Sequence, residues 1–200
     1  MGTGFPGILN ADNQYVRTFI SLSRKPGKTI TGYIKGKRKP FFNPVSYAIL
    51  SITLYLLLEL YIGSELGSPE MNNSPIKEVY DTGYKLGKLI KSNLKFFWLF
   101  FILCLGISNR MFFHRFNLFE HLAGSSYVVG HATLIGIIGL ILLKLPIVFN
   151  PLIYFVIVIL LYFSFRNNNF DPLRLLFSIL STGLAFLLFI LLPFFFLYLI

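Results

Sequence analysis

The sequence predicts an all-α protein, a polytopic transmembrane helical bundle of about five spans with amphipathic helices at its interface. Three observations carry that expectation. Mean hydropathy over the 200 residues is +0.70. Five long apolar runs between Pro44 and Ile200 are separated only by short polar or charged breaks. Runs such as Leu173–Ile200 lack the water-facing stripe that a soluble helix keeps. Roughly 18–20 apolar residues, at ~1.5 Å rise each, match the ~30 Å hydrocarbon core of a bilayer.

Residues 1–43 read as a basic, amphipathic cytoplasmic or interfacial segment, and residues 44–200 as the transmembrane domain. Met1–Gln14 has no basic start followed by an apolar core, so no cleavable signal is expected, and Pro6 replaces the Ser or Thr of a myristoylation motif. Tyr15, Phe19 and Leu22 recur at helical spacing with Arg17, Ser21 and Arg24 on other faces. Pro26 restarts a second short helix with Ile30, Tyr33 and Ile34 as its apolar stripe, which Gly36 ends in a left-handed conformation. Both are too short to span, and are expected to lie flat in the headgroup region with aromatics down and lysines up.

The first span is 44–62, with Asn43 as its cap and Pro44 in its first turn. A polar loop follows to about Pro75, then an interfacial helix from Ile76 carrying Lys77, Lys85, Lys88 and Lys91 on its outer faces. The second span is about 96–113. The third runs from Leu118 or His121 to Leu143, the fourth covers 147–165 after a tight break at Lys144-Leu145-Pro146, and the fifth 173–199, bending at Pro193. Ser126-x-x-x-Gly130 and Ala132-x-x-x-Gly136 make the third span the expected packing centre, because small residues let helix backbones approach. Its glycines have no phosphate-loop context.

Charge orients the bundle. With the N-terminus cytoplasmic, the inner segments hold Arg17, Arg24, Lys25, Lys28, Lys35, Lys37, Arg38, Lys39, Arg110, Arg115, Arg166 and Arg174, twelve of the 18 Lys and Arg. That excess fits a multi-pass protein of the cell's inner membrane, N-terminus inside and C-terminus outside. A pI of 9.8 would suggest nucleic acid in a soluble protein, but the membrane surface explains the charge here, and no nucleic acid is expected. Cys104 stands alone in an apolar span and reads as a buried structural thiol.

Two groups of residues stand out as sites. Lys35, Lys37, Arg38 and Lys39 precede the first span, and such a cluster attracts anionic lipid headgroups at about 1 kcal/mol per charge, besides acting as a topology signal. Asn117, Glu120, His121 and His131 form a polar site on the third span, with Asn117 as helix cap. Ionisable groups near a span are costly and usually face protein, water or a partner. The simplest reading of Glu120 is a helix-mouth ion pair with Arg110 or Arg115. Glu120 and His131 share one stripe but lie ~16 Å apart along the axis, too far for one metal ion. No metal, cofactor or catalytic residue is expected. Glu59, near the outer end of the first span, is expected to reach the headgroup zone with its carboxylate.

Arg17-Thr18-Phe19, Pro26-Gly27-Lys28, Gly32-Tyr33-Ile34, Gly36-Lys37-Arg38 and Asn43-Pro44, in that order, resemble a family of bacterial integral membrane proteins, the domain of unknown function 3667 family. Asn117-Leu118-Phe119-Glu120-His121-Leu122 resembles the family's Glu-His pair at the mouth of a later membrane helix. Many members carry a zinc-ribbon-like run of paired cysteines near the N-terminus; this chain has no cysteine before Cys104. The resemblance implies the membrane class and no activity.

The function expected is association: a small, non-enzymatic membrane protein that engages lipids, anionic headgroups first, or membrane-protein partners including a second copy of itself. The alternative is a small transporter or channel with a polar path near Glu120, His121 and His131. An enzyme ranks third, because no His-box, paired carboxylates or Ser-His arrangement is visible.

Overall fold

The computed structural model describes residues 6–62, 97–165 and 171–199. Among them every regular element is helical: α1 (Pro6–Arg24), α2 (Pro26–Ile34), α3 (Pro44–Ile62), α4 (Phe97–Phe112), α5 (Leu118–Leu143), α6 (Pro151–Phe165) and α7 (Pro172–Leu199). A single 3-10 turn, Ile147–Phe149, precedes α6. The polar loop after α3, the lysine-bearing helix expected from Ile76 and the turn at 166–170 lie outside the described residues.

One device starts most of these helices. Proline is the first residue of α1, α2, α3, α6 and α7, where its missing N–H would have had no intrahelical partner anyway. In three of them an Asn or Asp stands just before it and caps the turn. The Asn43 carboxamide oxygen accepts the Val45 amide at 3.0 Å, that of Asn150 the Leu152 amide at 3.1 Å, and the Asp171 carboxylate the Leu173 amide at 3.1 Å. This corrects the fourth span. It was expected from Ile147, but the Asn150-Pro151 pair starts α6 four residues later. α5 takes the earlier of its two expected starts, at Leu118, and Lys144 ends it in a left-handed conformation. Gly36, at φ +95°, ends α2 as read from sequence. The bend expected at Pro193 falls inside α7, which stays helical to Leu199.

Among the described residues three helices are long and apolar enough to cross a membrane: α3, α5 and α7 over Pro172–Leu191. α4 and α6 are apolar but shorter, with 16 and 15 described residues that cover up to ~24 Å at ~1.5 Å per residue.

α5 is the centre of the packing, against α3 on one side and α6 on the other. Small residues make this possible. A Cβ on Gly130 would lie 2.9 Å from the Ala48 Cα and 3.0 Å from the Tyr47 ring, so the two backbones touch with nothing between them. α4 closes the other flank, where Trp98 stacks on Phe101 and meets Tyr154 of α6 and Phe189 of α7 edge-on. The N-terminal helices form a hairpin that joins the same core through Leu22 and Ile30. A Cβ on Gly27 would lie 2.6 Å from the Phe163 carbonyl oxygen, so the start of α2 rests directly on the last turn of α6. The hairpin's aromatic stripe therefore meets protein, where the sequence reading had it meeting lipid.

Candidate functional site

The hairpin is attached by a cluster of hydroxyls around one imidazole. α1 turns Tyr15, Phe19 and Ser23 toward α3 and α5. Ser23 pairs with His131 Nε2 at 3.2 Å, and the Tyr47 hydroxyl with His131 Nδ1 at 3.1 Å. Phe19 packs its ring 4.8 Å from the imidazole. Tyr15 pairs with Ser51 at 3.0 Å, and burial holds its phenol above the ordinary tyrosine pKa, so the hydroxyl stays neutral. The Thr18 hydroxyl accepts the Phe42 amide at 2.9 Å while the Tyr127 hydroxyl donates to the Phe42 carbonyl, which fixes the strand of chain leading into α3. His131 is thus a fully buried clamp joining α1, α3 and α5, with both ring nitrogens used. Ser23 donates its hydroxyl to the Phe19 carbonyl at 3.0 Å, so the pattern is complete when a neutral imidazole donates Nε2–H to Ser23 and accepts the Tyr47 hydroxyl at Nδ1.

Asn117, Glu120 and His121 divide into two unlike roles. Glu120 closes a capping box: its carboxylate accepts the Asn117 amide at 2.8 Å, supporting the expectation that Asn117 caps α5. The ion pair expected between Glu120 and Arg110 or Arg115 gives way to this contact, and Arg110 donates instead to the carbonyls of Phe116 (2.9 Å) and His114 (3.4 Å). His121 is 2% exposed, sandwiched between Phe116 and Phe165, and neither ring nitrogen has a hydrogen-bond partner among the described residues. The cavity beside it, shared with Asn109, Ser125 and Glu120, holds about 10 Å³, room for no more than a single water. His131 does not line it. Among the described residues no group of three metal-ligating side chains gathers.

The basic residues assemble into a larger feature. A cavity of about 800 Å³ opens beside α2, lined by Arg24, Lys25, Lys28, Lys35, Lys37 and Arg115 together with Thr31, Phe41, Phe163 and Ser164. Among its described lining residues there is no carboxylate. Lys35 and Lys37 of the expected cluster line it, whereas Arg38 and Lys39 do not. Arg38 lies over the Tyr33 ring at 5.7 Å, and the Lys39 carbonyl accepts the Gln14 side-chain amide at 3.2 Å. Arg24, Lys25 and Lys28 signalled only charge in the sequence, and nothing in linear spacing ties Arg115 to them.

Further residues missed by sequence reasoning hold the far end. Asn150 donates to the Gly136 carbonyl at 2.8 Å and the Tyr55 hydroxyl at 2.9 Å, while Tyr55 donates to the Leu145 carbonyl at 3.0 Å. Glu59 accepts the Ile147 amide at 3.3 Å, so its carboxylate turns to the α5–α6 connection instead of reaching only for headgroups.

These geometries separate the two histidines. His131→Phe keeps the ring but leaves the buried Tyr47 hydroxyl without its partner, while Ser23 keeps the Phe19 carbonyl, and is expected to cost about 1–3 kcal/mol in thermal unfolding of the detergent-solubilised protein. His121→Phe removes two unpartnered nitrogens from an aromatic sandwich and is expected to leave stability unchanged or raised. Equal losses at both positions would contradict these assignments.

Comparison with known proteins returns one family. The curated proteins and the solved structures yield no match. Residues 12–56, which comprise most of α1, all of α2 and the first two-thirds of α3, match the family described as Protein of unknown function (DUF3667). The matched stretch carries Ser23, Tyr47 and Ser51 of the hydroxyl cluster and every basic residue of the cavity except Arg115. The resemblance read from Arg17 to Pro44 therefore holds: residues 12–56 are similar to the DUF3667 family of unknown function, a match that covers less than a quarter of the 200-residue chain.

Proposed function

We propose that this is a multi-pass inner-membrane protein of five spans that works by association with anionic lipid headgroups on the cytoplasmic leaflet, and catalyses no reaction. The observation that carries this reading is the hairpin's second face. With Tyr15, Phe19 and Ser23 turned to the bundle, α1 leaves Val16 and Ile20 on the adjacent face, 54% and 43% exposed, one helical turn apart and flanked by Arg17. A helix docked on one face and apolar with a basic edge on the next suits the headgroup–acyl boundary. The exposed Lys35, Lys37, Arg38 and Lys39 follow directly, at the start of α3.

The orientation rests on where charge collects. Arg115 shares one cavity with Lys28 and Lys35 and a second with Arg174, so basic residues from distant parts of the chain gather at one end of the bundle, as positive-inside topology requires. Lys144 stands at the other end of α5. The transporter alternative has less support: Glu120 is committed to its cap, His131 to its clamp, and the cavity beside His121 among the described residues is water-sized.

In nanodiscs the full-length protein is expected to unfold at higher temperature with anionic lipid than with zwitterionic lipid alone, and the difference should shrink as salt rises past ~0.15 M. Equal midpoints in both lipids would remove the proposal. For topology, reporter fusions after Lys39, His114 and Asn167 should read inside, and fusions after Pro69 and Ile200 outside. An inside signal at Ile200 would mean an even number of spans.

A further inference from the structure

We infer that the basic cavity beside α2 is a specific site for a phosphomonoester, most simply the headgroup of an anionic lipid that carries more than one negative charge. The inference rests on the headgroup-association reading above and names the ligand that the site would select. A topology signal needs positive charge near a span, but it does not need that charge to converge. Here Arg24, Lys25 and Lys28 come from the α1–α2 corner, Lys35 and Lys37 from the end of α2, and Arg115 from the connection between α4 and α5, and they line one concavity.

The corner is fixed rather than loose. Gly27 sits against the Phe163 carbonyl and the Ser164 backbone, and Pro26, Thr29 and Ile30 are buried, so α2 holds its lysines at a set place beside α6. Residues from both ends of α2 line this space, so the helix dipole sets no net preference and the side-chain charge is what favours an anion there. With no carboxylate among the described lining residues, the cations repel one another until something negative enters.

The amount of charge argues for a monoester. A phosphodiester headgroup brings about one negative charge, whereas a terminal phosphate brings about 1.5 to 2 near neutral pH and three acceptor oxygens. Two arginines in the lining can each engage such a group through paired N–H donors, a geometry that lysine cannot reproduce. Phe41 and Phe163 give the cavity apolar walls, suited to a glycerol backbone and the start of an acyl chain. A soluble phosphate ester shares the phosphate chemistry but gains nothing from those walls.

The test uses the full-length protein in a neutral detergent and follows its thermal midpoint as short-chain phosphatidic acid, phosphatidylglycerol, phosphatidylcholine or inorganic phosphate is added. Phosphatidic acid should half-saturate at a concentration about tenfold below that of phosphatidylglycerol, with phosphatidylcholine and inorganic phosphate far weaker. Arg115→Gln should weaken phosphatidic acid about tenfold, and by more than the double variant Arg38→Gln/Lys39→Gln, which removes two charges from the basic flank but none from the lining and so lowers only the diffuse attraction. Arg115 is exposed, so the unliganded variant should unfold near the wild-type temperature, and Lys28→Gln provides a second lining variant. Equal affinity for the two anionic lipids, or equal loss in the lining and non-lining variants, overturns the site and leaves diffuse attraction to anionic lipid intact. No preference of any kind over phosphatidylcholine overturns both. Inorganic phosphate matching phosphatidic acid overturns the lipid as the source of the phosphate.

Discussion

An apolar bundle offers no water to the polar side chains inside it, so each must be paired by a neighbouring helix or bear the cost of burial. Much of this protein's architecture follows from how that requirement is met. His131 takes hydroxyls from α1 and α3. Asn150 reaches the Gly136 carbonyl on α5 and Tyr55 on α3. Asn109 on α4 donates to Ser125 on α5 at 3.1 Å and accepts from Ser181 on α7 at 2.8 Å. These ties link all five long helices and the hairpin. Interhelical hydrogen bonds of this kind contribute about 0.6 kcal/mol each on average in a membrane, so their main effect is to select one arrangement among many apolar packings of similar energy.

The hairpin is where this principle meets function. Its inner face has no long apolar surface to bury: Leu22 and Ile30 enter the core, and much of the rest is the Tyr15, Thr18, Phe19 and Ser23 contact with α3, α5 and the chain before α3. Docking the hairpin sets the position of Arg24, Lys25 and Lys28 relative to Arg115 and the end of α6. The buried clamp and the exposed basic cavity are therefore two ends of one element, and a change at His131 should be felt in the cavity without touching any of its residues.

The helices themselves were largely legible from the chain. Pro44 and Ile62 bound α3 as expected, Asn117 and Leu143 bracket α5, and Pro26 and Gly36 mark the ends of α2, because proline, cap and left-handed glycine are local signals. The start of α6 was misread because apolar content continues through Ile147–Phe149, and only the Asn150-Pro151 pair marks the true first turn. The site was legible in part. Lys35 and Lys37 carried a sequence signal, but Arg115 enters the cavity through tertiary packing that no spacing encodes. His131 was grouped with Glu120 and His121 by its place on one helix, whereas its partners, Ser23 and Tyr47, lie about a hundred residues upstream. Glu59 looked like a headgroup anchor because its contact, the Ile147 amide, belongs to a different part of the chain.

Amide hydrogen exchange on the full-length protein in nanodiscs tests most directly whether the hairpin is held by the His131 clamp. Amides of 14–34 should be protected nearly as strongly as those of α3, and a Tyr47→Phe/His131→Leu variant should lose protection there while α6 and α7 keep theirs. Fast exchange of 14–34 in the unaltered protein, or a loss spread evenly over every helix in the variant, would contradict the account.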